Sequence, residues 1–482
     1  MDYTKLSIKD YVDGVKAGKI DIVRAVKTFV DRAKADKKNA VLEIFDSWEE
    51  QAKRMQEIVR TDTKSPPKTG RPITVQTSGL PLVGVPVIIK DNLWYKGHRS
   101  SAASRILEGF VAPQTATAVQ KLVDAGAIII GRANMDEFGM GGTGRNSGWG
   151  VTKNAHSDKH VAGGSSSGSA VSVALDYCMA ALGTDTGGSM RCPAAFNGVV
   201  GLKPTYGSVS RYGVMAYANS LEQIGVFART VADAQLVLSQ IMGHDPLDIT
   251  TRQPDPRPQS SNTLLRIGKV KEIWQAFKES PYLGRYEAVL AKFKEKGATV
   301  VDVSVPSLSV ALATYYIISC TEAASNLSRF DGVRFTPVPG EPETITDLYL
   351  DTRSKLFGKE VKNRILLGNF LACTGHEASQ FYKKAKQAQA HIAYEIEKAF
   401  EKCDCMIMPS MAGEATLLED NNADPIAEYL ADLFTVPANL SGVPAISVPF
   451  GVGQSGLPLG LQILVNKNNE QLMFDLADEV KL

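Results

Sequence analysis

The chain has 482 residues, and 53 Lys+Arg against 52 Asp+Glu leave a formal net charge of +1. That balance excludes a basic nucleic-acid footprint and any long-range attraction to anionic membranes. With 44% hydrophobic and 22% charged residues, it also excludes disorder as the dominant state.

The start, Met1-Asp2-Tyr3-Thr4-Lys5, has an early acid and no apolar run, which predicts no secretory signal and a cytoplasmic protein. Ser7 is an N-cap for a helix through Val15. Asp21 caps a second, with Ile22, Ala25, Val26, Phe29 and Val30 on one face, and the first sixty residues read as helical. The polar stretch from Thr61 to Ser78 predicts a surface loop. Val83 to Ile89 reads as a buried strand ending at Lys90, Thr115 to Ala125 as a helix, and Ala127 to Ile130 as a strand closed by Gly131. The apolar stretch from Gly79 to Ile89 is broken by Pro81, Gly84 and Pro86, too short to span a membrane.

From Gly139 to Gly213 the chain is dense in Gly and small hydroxyls. Structure signals interrupt it: a helix at Ser169 to Tyr177, a strand at Met179 to Leu182, and a short helix at Pro193 to Phe196 with Pro at its first position and Gly198 past its end. Gly-dense backbone between ordered elements suggests a chain that approaches something closely. Further on, helices are predicted at Val231 to Met242, Tyr286 to Glu295, Lys355 to Phe370 and Gln380 to Phe400. Strands are predicted at Leu264 to Val270, Thr299 to Val305, Met406 to Met408, Ala445 to Val448 and Leu461 to Val465, with a polar loop at Thr250 to Asn262. Strands alternating with helices give an α/β protein with a helix-flanked sheet.

Gly139, Gly141 and Gly144 fit a dinucleotide fingerprint in spacing, but no strand leads directly into them and no helix follows. Gly164-Ser165-Ser166-Ser167-Gly168 fits an esterase elbow, but Ser157 to Ala162 before it is polar. The six cysteines, with Cys403 and Cys405 the single close pair, predict reduced thiols and no metal site. Three other segments complement one another. Lys90-Asp91-Asn92 holds a lysine at the rim of an apolar strand. Gly163 to Ser169 supplies hydroxyls. In Asp185 to Arg191 the backbone of Thr186, Gly187 and Gly188 can turn N–H groups toward one point beside Ser189, as an oxyanion hole for acyl transfer requires.

Together these segments, with the run from Thr184 to Gly213, resemble the amidase-signature hydrolases over nearly the whole chain, most closely from Gly84 to Pro246. The resemblance implies one large domain over 1–482: an N-terminal helical segment (1–60), the signature core (84–246) and a remaining part (264–482). Its sheet would be mixed and twisted, with helices on both faces. It implies Ser189 as nucleophile, Ser165 as a bridging serine on a cis peptide, and Lys90 as general base. A serine needs such a base. The lysine's ordinary pKa near 10.4 must then fall toward neutrality, about 4 kcal/mol of differential solvation, which burial can supply.

Thr321 to Arg334, Gly358 to Gly368 and Tyr429 to Asp432 resemble the A subunits of glutamyl-tRNA(Gln)/aspartyl-tRNA(Asn) amidotransferases. That likeness implies that Arg364 grips the α-carboxylate of glutamine and Asp432 its α-ammonium, within part 264–482. It implies B and C subunits as partners, misacylated tRNA bound mainly through B, and ATP with Mg²⁺ in B, with no cofactor in this chain. The alternative is a stand-alone amidase acting on a small aryl or aliphatic amide. Departures from the family pattern are Ser167 in place of a glycine, Gly141 to Ser147 in place of a hydroxyl-rich, acid-bearing loop, and Cys192 in place of glutamine. If position 167 needed a positive φ, its serine would be strained.

Overall fold

The middle of the protein is set by short strand-forming runs, the central ones fully buried and those at the two edges, Val41–Ile44 and Thr299–Val303, only partly so. In the computed structural model, which describes residues 2–64, 79–253, 264–373, 379–419 and 430–480, these runs join one sheet of eleven strands. They are Val41–Ile44 (β1), Pro86–Lys90 (β2), Ile128–Ala133 (β3), Ala180–Asp185 (β4), Val200–Lys203 (β5), Gln223–Ala228 (β6), Arg266–Val270 (β7), Thr299–Val303 (β8), Cys405–Pro409 (β9), Ala445–Val452 (β10) and Pro458–Val465 (β11). The order is β1-β3-β2-β4-β6-β5-β10-β11-β9-β7-β8.

β2 is buried at every position, and its β-branched Val87, Ile88 and Ile89 suit a strand covered on both faces. It runs parallel to β3 and to β4, with Val87 opposite Ile129 and Ala180. The centre of the sheet, from β4 through β6, β5, β10 and β11 to β9, is antiparallel, and β7 returns to parallel pairing with β9 and β8. The sheet is therefore mixed, and helices flank it. Because β2 and β4 are parallel neighbours, their C-terminal ends bring Lys90 and Thr184 to the same edge, which is where ligand-contacting loops emerge in such sheets.

Several expectations shift in detail. Ser7 and Asp21 cap Ile8–Lys16 and Ile22–Lys34, each accepting a backbone N–H. The first sixty residues are not all helical, because β1 falls between these helices and Trp48–Lys64. Thr61 to Lys64 close that helix rather than opening a loop. The rest of that stretch, most of the loop from Thr250 to Asn262, and Tyr429 lie outside the described residues. The Pro193 helix begins earlier, at Arg191, so Pro193 is its third residue, while Gly198 ends it at φ 67° as expected. β5, β6 and the helix Ala311–Asn326 are present where no element was predicted.

Among the described residues no helix is long and apolar enough to cross a membrane, and no group of three or more His, Cys, Asp or Glu is placed to hold a metal ion. All six cysteines are free thiols.

Candidate active site

Lys90 ends β2 with none of its surface exposed. Its Nζ is hydrogen-bonded to Ser165 Oγ at 2.7 Å, to Thr184 Oγ1 at 2.9 Å and to the Thr184 carbonyl at 3.3 Å. The Thr184 hydroxyl is in turn a donor to Glu222, so toward Lys90 and Asn92 Nδ2 (3.1 Å) it acts as acceptor. When the amine is neutral, Thr184 can take up both of its N–H bonds and leave the lone pair for the Ser165 hydroxyl. Burial brings the Lys90 pKa down to about 8, against the opposing pull of Glu222, Asp136 and Asp185. The peptide between Gly164 and Ser165 is cis.

The loop carrying Ser165 is tied to the turn carrying Ser189. Ser166 N–H donates to the Ser189 carbonyl (3.4 Å), and Ser166 Oγ donates to the Thr184 carbonyl (3.0 Å). Lys90 and Ser165 are 0% and 1% exposed, whereas Ser189 keeps 7% and its hydroxyl has no partner among the described residues. Of the three groups, Ser189 is the one an incoming molecule meets first.

The turn itself is built on a buried ion pair. Asp185, at the end of β4, accepts the N–H groups of Gly188 and Met190 (both 2.9 Å), Arg191 Nη2 (3.0 Å) and Asn439 Nδ2 (2.8 Å). Burial alone would raise the Asp185 pKa, but the Arg191 guanidinium outweighs it and holds the carboxyl at about 2. Arg191 is itself fully buried and spends its other donors on the Thr435 carbonyl and Gln462 Oε1, both at 2.7 Å. Of the N–H groups expected to face an oxyanion, that of Gly188 is engaged by Asp185. Among the described residues, the N–H groups of Thr186, Gly187 and Ser189 have no acceptor in the protein. The two glycines are required by crowding: a Cβ on Gly187 would meet the Tyr315 ring at 2.5 Å, and one on Gly188, at φ 139°, would meet Thr435 Oγ1 at 2.3 Å.

Beyond the turn lie Arg364 and Asp432. Arg364 sits on Lys359–Ala372, 7% exposed. It donates through Nη1 to the Tyr217 hydroxyl and through Nε to Glu360 Oε1, both at 2.7 Å. Its guanidinium carbon lies 5.3 Å from the centre of the Tyr316 ring, and the Tyr316 hydroxyl donates to Asp432 Oδ2 at 2.6 Å. Tyr316 thus joins the two charged residues. Its neighbour Tyr315 lies against the Ser189 turn, 3.5 Å from Thr186 Oγ1. Burial raises the Asp432 pKa to about 6, opposed by the Tyr316 hydroxyl and by Arg364.

The departures from the family pattern find simple places. Ser167 opens the helix Ser167–Ala174 with no positive φ, so it carries no strain there. The loop from Gly141 to Ser147 is held by Asp136, which accepts the N–H groups of Gly144 (3.1 Å) and Asn146 (2.9 Å). Cys192 is packed with its Sγ 3.5 Å from the Gly142 carbonyl, and burial pushes its thiol pKa up. Residues that sequence reasoning passed over are Thr184, Asp185, Arg191, Tyr217, Glu222, Tyr315 and Tyr316. The acid and base enclosing the turn, Asp185 and Arg191, were a readable signal, since charges in so apolar a run need each other.

A family model described as Amidase matches residues 24–474. The A subunit of the glutamyl-tRNA(Gln) amidotransferase of Caldanaerobacter subterraneus subsp. tengcongensis is 44% identical over 401 residues, 82% of each chain. The protein of the same name from Thermoanaerobacter pseudethanolicus is 40% identical over 485 residues, 99% of this chain and 96% of that one. The solved structure of the A subunit of the glutamyl-tRNA(Gln) amidotransferase of Thermotoga maritima superposes with a TM-score of 0.74 at 31% identity, covering 99% of this chain and 94% of that one.

Proposed function

The chain belongs to the amidase family, and from that premise we propose that it is the glutamine-hydrolysing A subunit of a tRNA-dependent amidotransferase, feeding ammonia to the conversion of misacylated Glu-tRNA(Gln) or Asp-tRNA(Asn). The observation that carries this reading over a stand-alone amidase is likeness along nearly the full length to relatives that bear the subunit's name. The pairing of Arg364 with Asp432 across Tyr316 supports it, because a free amino acid presents one carboxylate and one ammonium to such a pair.

In this reading the glutamine side-chain amide lies over Ser189. Ser189 Oγ attacks the amide carbon, and its proton passes to Ser165, whose own proton passes to Lys90. The N–H groups of Thr186, Gly187 and Ser189 face the oxygen as it gains charge. Lys90, again through Ser165, returns the proton to the leaving nitrogen, and ammonia departs. Water then cleaves the glutamyl ester, releasing glutamate and restoring Ser189. The A-subunit role places the chain in a multi-subunit enzyme. B and C subunits would receive the ammonia and complete the assembly, misacylated tRNA would be held mainly by B, and ATP with Mg²⁺ would act there.

The test is ammonia release from glutamine by the full-length chain, alone and with B and C subunits. Ser189→Ala is expected to reduce release by about 10⁴-fold or more while leaving assembly intact. Persistent release would remove Ser189 from its role. Fast turnover of simple aromatic amides, unchanged by partners, would favour the stand-alone enzyme.

A further inference from the structure

The helix that carries Arg364 begins without a cap of its own. Gly358 occupies its N-cap and has no side chain to accept an N–H. Helices often solve this with an acid or amide three residues on that reaches back to the N-cap N–H, but that position here is Val361. The acceptor comes from across the fold. Glu137 Oε2 takes the Gly358 N–H at 2.8 Å, although 221 positions separate the two residues. The other oxygen, Oε1, accepts the Ser104 hydroxyl. Glu137 is 3% exposed. A Cβ on Gly358 would come within 2.3 Å of Glu137 Oε2, so the approach depends on glycine at that position.

The same short segment reaches both halves of the site. Asp136 N–H donates to the Ser165 carbonyl (3.0 Å), Glu137 N–H donates to the Asn146 carbonyl (2.7 Å), and Phe138 N–H to the Ala102 carbonyl (2.8 Å). Phe138 holds a left-handed conformation, φ 50°, in which a bulky residue is an outlier that its surroundings must impose. Its ring packs edge-on against Phe357, the residue just before Gly358, with centroids 5.9 Å apart. A hydrogen bond and a ring contact thus fix the first turn of the Arg364 helix from outside, as a capping box and staple would from inside.

We propose that Glu137 is a positioning residue for substrate recognition: by holding Gly358 it fixes the approach of the helix Lys359–Ala372 and so the place where Arg364 meets the substrate carboxylate. Arg364 stands about 9 Å along the helix axis from that anchor. A tilt of a few degrees at the N-terminus therefore moves the guanidinium off its mark, and misplacement of about 1 Å is enough to weaken a substrate contact. The inference rests on the reading of Arg364 as the carboxylate clamp.

The test is Glu137→Met, which keeps the length of the side chain but cannot accept the Gly358 N–H, in the full-length chain, assayed for glutamine turnover and for labelling of Ser189 by a sulfonyl fluoride, which needs the catalytic groups but not the clamp. The expected result is KM for glutamine raised about tenfold, kcat within about twofold, and an unchanged labelling rate. Loss of kcat and labelling together, or no change in KM, overturns the proposal. Ser104→Ala removes only the second anchor and is expected to raise KM two- to threefold, about a quarter of the larger effect. If Glu137→Met does not fold, an unchanged KM in Ser104→Ala overturns the proposal instead. Arg364→Gln separates the two failures. If it leaves KM untouched, the clamp reading falls; if it raises KM while Glu137→Met does not, only the positioning role falls.

Discussion

The turn at Ser189 and the clamp at Arg364 solve the same problem, holding charge inside a protein, in different ways. Around Ser189 the turn's own backbone is held from nearby sequence, where Asp185 takes the N–H groups of Gly188 and Met190 and the guanidinium of Arg191, and Asn439, Thr435 and Gln462 then anchor that ion pair from afar. Around Arg364, apart from Glu360 one turn back on the same helix, the partners all come from afar. Tyr217 is 147 positions away, and Tyr316 and Asp432, which are 116 positions apart, belong to two further elements. Bond-making tolerates little drift, and a short loop locked by a buried ion pair drifts little. Recognition can be spread over several helices, each free to vary. Such a division predicts that damage to the turn strikes kcat and damage to the clamp strikes KM.

The sharpest way to break that division is at Lys90. Lys90→Met is expected to lower kcat about 10³- to 10⁴-fold with KM near its starting value, measured as initial rates of ammonia release. In the intact protein the base must be neutral, so it works above its folded pKa and fails as the pH falls. The logarithm of kcat/KM for glutamine should therefore rise with pH and level off above about 8. The clamp should titrate elsewhere. Asp432 holds an ammonium only when ionised, and KM should climb as the pH falls through about 6. A flat profile across this range, or a single limb shared by kcat and KM, would erase the distinction.

Arg364→Gln comes next in size. Losing one charge-assisted pair with a carboxylate costs about 2–3 kcal/mol, so kcat/KM for glutamine should drop about 10²-fold, nearly all of it in KM. A matching drop in kcat would mean that the clamp aligns the scissile amide as well as binding it.

These two regions were not equally legible in the sequence. Local reading reached the segments of Lys90, Ser165 and Ser189, the lysine at the end of an apolar strand and the serines in Gly- and hydroxyl-rich runs, while the roles of the three came from the resemblance. Local reading did not reach the contact of the Gly188 N–H with Asp185, because only the folded chain shows that this carboxylate is buried beside it. Arg364 and Asp432 were found by likeness alone; nothing in their spacing announces a pair. The helix Ala311–Asn326, which bears Tyr315 and Tyr316, escaped notice because its buried residues spread round the axis, Tyr315 and Ile318 on one side and Cys320 and Ala324 on the other. Periodicity fails where a helix has no wet face. β5 and β6 escaped for a related reason: Gly201 and Gly225 interrupt short runs whose remaining residues pack on both sides.

The smallest effect probes where the two regions touch. Tyr217 faces both. Its hydroxyl accepts Arg364 Nη1 at 2.7 Å, while its backbone N–H donates to Glu222 Oε2 at 3.1 Å, and Glu222 in turn accepts the Thr184 hydroxyl that fixes Lys90. Tyr217→Phe removes only the first of these contacts. It leaves one buried guanidinium N–H without its partner, a loss of about 1–2 kcal/mol, and should raise KM for glutamine about five- to tenfold. The backbone bond to Glu222 survives the substitution, so the limb near pH 8 should stay where Lys90 puts it. Should that limb move with the loss of a single phenolic oxygen, the path from Arg364 through Tyr217 and Glu222 to Lys90 would be electrically continuous. Turn and clamp would then be one network, and the separation of kcat from KM would hold only for substitutions outside it.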